Sequence, residues 1–165
     1  MVAGVGRGRG QAQACTDEGR GTHGSFHREY LLAAIDRHLF WLDQAGWPSR
    51  SPDFYFDWMS DSLAPAPYVT LDYAPLAERL RAYTRYASNI PRAVAQIRAN
   101  LRMPMARTVL QYGIDSFGGL AEYYRNDVPG VFAPVAEAAL QAAFAEANGG
   151  ASHAGTHGLA AVQAR

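Results

Sequence analysis

The chain has 165 residues, 48% hydrophobic and 12% aromatic, enough for one domain that buries roughly two thirds of the surface its unfolded form exposes. Fifteen basic and fifteen acidic residues cancel, so no global field steers it to nucleic acid or to an anionic membrane, and no nucleic-acid partner is expected. No apolar run approaches the length of a membrane span, and the single cysteine, Cys15, excludes an intrachain disulfide.

Residues 1–24 are rich in Gly, Arg and polar side chains and show no periodicity. Such a stretch buries too little apolar area to offset its ordering entropy, so a disordered tail is expected. Its start, MVAGVGRGRGQAQ, has arginines but no apolar segment after them and does not read as a secretory signal. The compartment is left open. Arg7-Gly8-Arg9-Gly10 resembles an RNA-binding Arg-Gly repeat, but two repeats with no aromatic between them favour a plain tail.

A helical domain is expected over 25–148. From Ser25, Phe26, Tyr30, Leu31, Ala34, Ile35, His38, Leu39 and Leu42 recur at helical spacing, with Phe40 and Trp41 widening the face. Gly46 and Pro48 supply the stop. Ser51-Pro52-Asp53 opens a second helix, with serine as cap, proline in the first turn and aspartate against the dipole. That helix carries Phe54, Tyr55, Phe56, Trp58, Met59 and Leu63 and ends at Pro65 and Pro67. Residues 67–71, PYVTL, are the one short strand candidate.

A third helix spans about Asp72 to Ser88 on the stripe Leu76, Leu80, Tyr83 and Ala87, with Asp72 as cap and Glu78, Arg79, Arg81 and Arg85 around it. Asn89 and Pro91 open a fourth, whose Ile90, Val94, Ile97 and Leu101 keep strict three- and four-residue spacing until Met103-Pro104. A fifth runs from about Ala106 to Asn126, with Gly113, Gly118 and Gly119 inside it. Each glycine costs about 1 kcal/mol of helix propensity relative to alanine, which makes sense if another backbone packs close. A last helix follows Asp127-Val128-Pro129 and ends at Gly149-Gly150, leaving 149–165 as a flexible tail. The fold class is therefore all-α, an irregular array of about six helices with disordered ends.

Three segments go further. FHREYLLAAIDRHLFWLDQAGWP, DYAPLAERLRAYTRYASNIPRAVAQIRANLR and QYGIDSFGGLAEYYRNDVPGVF resemble, in order and spacing, the N-terminal part of a bacterial family catalogued as DUF885. The resemblance covers about residues 27 to 147. It implies a nearly all-helical protein several times this length, a zinc-dependent peptidase acting on a peptide-like substrate. Many members are exported or are lipoproteins. The family's metal motif resembles His-Glu-x-x-Pro-Gly-His-His, and no His-Glu dipeptide occurs here. No catalytic, cofactor-binding or metal residue carries over, and zinc is expected only for the longer relative. The implied role is a fragment that supplies helical scaffold and cleft wall and is not catalytic alone.

Four side chains are singled out as lining a cleft in that longer protein: Tyr112, Tyr123, Tyr124 and Arg125. Tyrosine and arginine can bind peptide carbonyls and carboxylates, against the plainer reading of core rings with hydroxyls at the surface. His153 and His157 have the four-residue spacing of two metal ligands on one helical face. Ala154 replaces the glutamate of a metallopeptidase, and the surrounding glycines argue against the helix that aligns the pair, so a tail with two chance histidines is favoured. His23 and His27 repeat the spacing and take the same reading, and His38 reads as a boundary histidine. Asp53, Asp57 and Asp61 form a row that reads as a solvated face before a metal-facing one. The alternative function is a non-enzymatic helical interaction module, self-associating through an exposed apolar face at Phe54 to Leu63.

Overall fold

The computed structural model describes residues 2–15, 23–56 and 63–158. Among them the chain is all-α with no strand, and six helices reach eleven residues or more. It divides into two compact units, Met1–Pro48 and Ser49–Arg165. The division falls inside the single domain expected over 25–148. Just before it the helical run stops: Gly46 adopts φ 60°, a left-handed turn conformation suited to glycine, and Pro48 follows.

The first unit pairs α1 (Val2–Ala14) with α2 (Gly24–Leu39), which runs on as a π-helical turn at Phe40–Gln44. The expected disordered tail over 1–24 is thus corrected for Val2–Ala14, while residues 16–22 lie outside the described residues. Propensity argues against a helix with four glycines. Burial of Ala12 and an ion pair from Arg9 Nε to Asp36 Oδ1 at 2.5 Å are tertiary contacts that a local reading omits. Along α2 and the π turn, Phe26, Tyr30, Leu31, Phe40 and Trp41 are exposed, although their spacing marks them as an apolar face.

Trp47–Arg50 (α3) leads into the second unit. Ser51 Oγ accepts the Asp53 N–H at 3.3 Å, so the expected cap forms, but on a single 3-10 turn at Pro52–Tyr55. Phe54, Tyr55 and Leu63 are buried and contribute core, where the interaction-module alternative places an exposed apolar face. Asp57, Trp58, Met59 and Asp61 lie outside the described residues. The strand candidate is a short helix, α4 (Ala66–Val69).

The long helices α5 (Leu76–Ala87), α6 (Ile90–Asn100) and α7 (Arg107–Asn126) fall close to their expected spans. Leu80, Tyr83 and Ala87 are fully buried, and Ile90, Val94, Ile97 and Leu101 all enter the core, as their spacing requires. Asp72 caps nothing. It pairs instead with Arg79 Nη1 at 2.6 Å, and the same nitrogen donates to the Leu71 carbonyl at 2.9 Å. Arg79 is buried and ties the preceding turn to α5, whereas its charge suggests a solvent position.

After α7 the chain makes a short helix, α8 (Val128–Phe132), turns through Ala133–Pro134, and enters α9 (Ala138–Gly158). Here the largest correction lies. Gly149-Gly150 does not end the helix, and residues 149–158 are its last turns, not a tail. Residues 159–165 lie outside the described residues. Phe144, Asn148, Ala151, Gly155 and Gly158 are buried at spacings of four and three, one continuous stripe against α5, α6 and α7. Gly155 allows a close approach to α7: a Cβ there would stand 2.9 Å from Ala121 Cβ and 3.1 Å from the Phe117 carbonyl oxygen. Close approach at a glycine is thus seen at Gly155 and Gly158 of α9, while Gly113 of α7 is buried as well. The α7 glycines Gly118 and Gly119 face open space.

Candidate functional site

Two features define the surface where α9 lies along the end of α7. The first is a buried polar seam. Asn148, inside α9, accepts the Tyr83 hydroxyl at 2.5 Å and donates to the Tyr124 carbonyl at 2.6 Å. Ser152 Oγ, one turn on, donates to the Ala121 carbonyl at 3.0 Å. The Tyr124 hydroxyl donates to the Leu63 carbonyl at 3.2 Å and lies 3.2 Å from the Tyr86 hydroxyl. Buried polar atoms need such partners, and their directionality fixes the rotation of α9 on α7.

These tyrosines are held neutral. Burial pushes the Tyr124 phenol up to about 12. Burial also raises Tyr83 and Tyr86, and neighbouring tyrosines add to the shift. None of the three is tuned to exchange a proton near neutrality.

The second feature is a surface groove. Arg125, Pro129, Phe144, Asn148, Ser152, His153, Thr156 and His157 line a depression of about 440 Å³. Arg125 closes one side. Its Nη2 donates to Ser152 Oγ at 3.2 Å and to Thr156 Oγ1 at 3.3 Å. Those two hydroxyls are one helical turn apart and hold the guanidinium over the groove. No carboxylate pairs with Arg125 among the described residues. The imidazoles of His153 and His157 are exposed, with ring centroids 4.5 Å apart. The groove is thus cationic on one side, apolar at Phe144 and Pro129, and lined by hydroxyl groups between.

The four side chains singled out by sequence separate. Arg125 lines this groove. Tyr124 is fully buried and belongs to the seam beneath it. Tyr123 is half-buried, its phenol raised by burial and then by the Asp127 carboxylate. Tyr112 is exposed and borders a separate shallow depression with Ser51, Asp53, Thr108 and Val109. Sequence reasoning missed Ser152 and Thr156 because it ended the helix before them. The signal was present: the 144–148–151–155–158 stripe carries helical periodicity through the glycine pair.

Among the described residues no group of three or more His, Cys, Asp or Glu side chains converges. A catalytic zinc takes three protein ligands, and such a set does not assemble among these residues. Among the described residues no helix is long and apolar enough to cross a membrane. Comparisons with protein-family models, with curated proteins and with solved structures each return no match.

Proposed function

We propose that this chain corresponds to the N-terminal helical part of a DUF885-type hydrolase and serves there as scaffold and as one wall of a substrate cleft. Its own chemical contribution is recognition of a carboxylate, such as a peptide C-terminus, by Arg125. The observation that carries this is Arg125 itself, held over a groove by two hydroxyls and paired with no carboxylate among the described residues. With Nη2 engaged by the two hydroxyls, the Nη1 and Nε hydrogens of the guanidinium are left to donate charge-assisted hydrogen bonds to a carboxylate. Ser152 and Thr156 hold it ready, and the apolar floor at Phe144 accepts a side chain. The three segments that resemble the family supply the kinship.

A short peptide with a free C-terminus, titrated into the purified chain and followed by amide NMR, tests the recognition step. Resonances of Arg125, Ser152 and Thr156 shift together, and amidating the peptide C-terminus or making the Arg125→Gln change abolishes the shift. Equal binding by the amidated peptide overturns the carboxylate reading. The purified chain with added zinc is expected to leave peptides intact, and turnover that a chelator stops would contradict the scaffold role.

A second reading, a self-associating interaction module, has one observation in its favour. Phe26, Tyr30, Leu31, Phe40 and Trp41 are all 40% or more exposed along Gly24–Gln44. Apolar side chains exposed together mark interfaces. Sedimentation equilibrium separates the two: concentration-dependent association that Phe26→Ser/Tyr30→Ser removes supports the module, and a monomer at every concentration excludes self-association.

A further inference from the structure

We infer that His153 and His157 form a two-nitrogen site for a late first-row divalent cation, and that the bound ion staples the last turns of α9. The inference rests on the helix continuing past Gly149-Gly150, which puts residues 153 and 157 one turn apart on one face. It does not rest on the carboxylate reading of Arg125.

The ring geometry fits. A metal about 2.0–2.1 Å from each imidazole nitrogen, on neighbouring coordination positions, places two ring centroids about 4.5–5 Å apart. His153 and His157 have their centroids 4.5 Å apart. The other four-residue pair is a control within the same chain. His23 and His27 have centroids 6.4 Å apart, a span that calls for nitrogens on opposite sides of an ion. Both rings of the 153/157 pair are exposed, so an ion reaches them from solvent without rearrangement of the core.

Two nitrogens leave coordination positions open. With no third His, Cys, Asp or Glu converging among the described residues, water or a ligand in the groove completes the shell. Imidazole donors suit late first-row ions over calcium or magnesium, which take oxygen.

The site has a structural consequence. The last ten residues of α9 contain Gly149, Gly150, Gly155 and Gly158, so their helix propensity is low. An ion bridging positions 153 and 157 binds only the helical form and shifts the local equilibrium toward it. Because Ser152 and Thr156 hold Arg125 from the same turns, the ion also steadies the groove.

The test is a Zn2+ titration of the full chain, following all histidine ring resonances by NMR and amide exchange across 149–158. His153 and His157 ring signals should move together and saturate at one equivalent, with slower exchange of Ala151–Gly158 amides. The His153→Gln/His157→Gln variant, altered only at exposed positions, should keep the helix content and lose at least tenfold in Zn2+ affinity. The His23→Gln/His27→Gln variant should bind as the parent does. Unchanged affinity in the 153/157 variant, or tight binding that follows His23 and His27, overturns the site. Binding at His153 and His157 with no change in amide exchange overturns the stapling role.

Discussion

Asn148 is the residue on which the second unit turns. It is buried in α9 and bonds Tyr83 of α5 and the backbone of α7 at once. Replacing it with leucine leaves a hydroxyl and a carbonyl without partners, each costing about 1–3 kcal/mol. Asn148→Leu should therefore lower stability by about 2–4 kcal/mol, seen as a lower urea midpoint with an unchanged slope. A loss below about 0.5 kcal/mol would mean that the seam is solvated. The tyrosines of the seam set the alkaline limit. Above pH 10 an unfolded Tyr124 gives up its proton, while the folded residue keeps it until about pH 12. Unfolding then releases a proton, so stability is full below pH 10 and falls as pH rises through that window. Tyr83 and Tyr86, also raised by burial, act in the same direction. Thermal melts from pH 8 to 12 should show a falling midpoint above pH 10, and Tyr124→Phe should flatten the fall.

At the scale of single elements, Gly118 and Gly119 of α7 contrast with Gly155 of α9. Gly118 and Gly119 face open space, so alanine there gains helix propensity at no steric cost. Gly155 sits against Ala121 and the backbone of Phe117, so a methyl group there separates the two helices. Gly119→Ala should raise stability by up to about 1 kcal/mol, while Gly155→Ala should lower it despite the same propensity gain. Equal effects of the two substitutions would sink this account of the α7–α9 contact. The contrast also shows what was legible in the sequence. Stripes such as Ile90–Val94–Ile97–Leu101 placed α5, α6 and α7 well, because a regular apolar period reports the buried face directly. The end of α9 was not legible from local signals, because Gly149-Gly150 reads as a stop, and only packing against α6 and α7 offsets the propensity loss. Arg79 escaped for the converse reason: its burial depends on carbonyls at Val69 and Leu71 that no periodicity reveals. Of the candidate site, Arg125 was visible as a charge at the end of a helix, but its hydroxyl partners came from residues assigned to a tail.

For the whole molecule, architecture and proposed role meet at α9. The groove, the hold on Arg125 and the histidine pair all require residues 149–158 to be helical and packed. Removing 149–165 should do more than trim an end: Ala151, Ser152, Gly155 and Gly158 leave the core, and the second unit loses part of the wall that covers Phe117 and Val94. Circular dichroism melts of that truncation should show a lower midpoint than the full chain, where loss of a flexible tail leaves the midpoint unchanged. The most direct measurement is amide hydrogen exchange along α9 in the full chain. Helical, packed turns predict that Ser152, Gly155 and Gly158 exchange slowly, within the range of the α7 amides at Phe117 and Ala121. Exchange at the unprotected rate from Gly149 onward would contradict the account, and with it the groove.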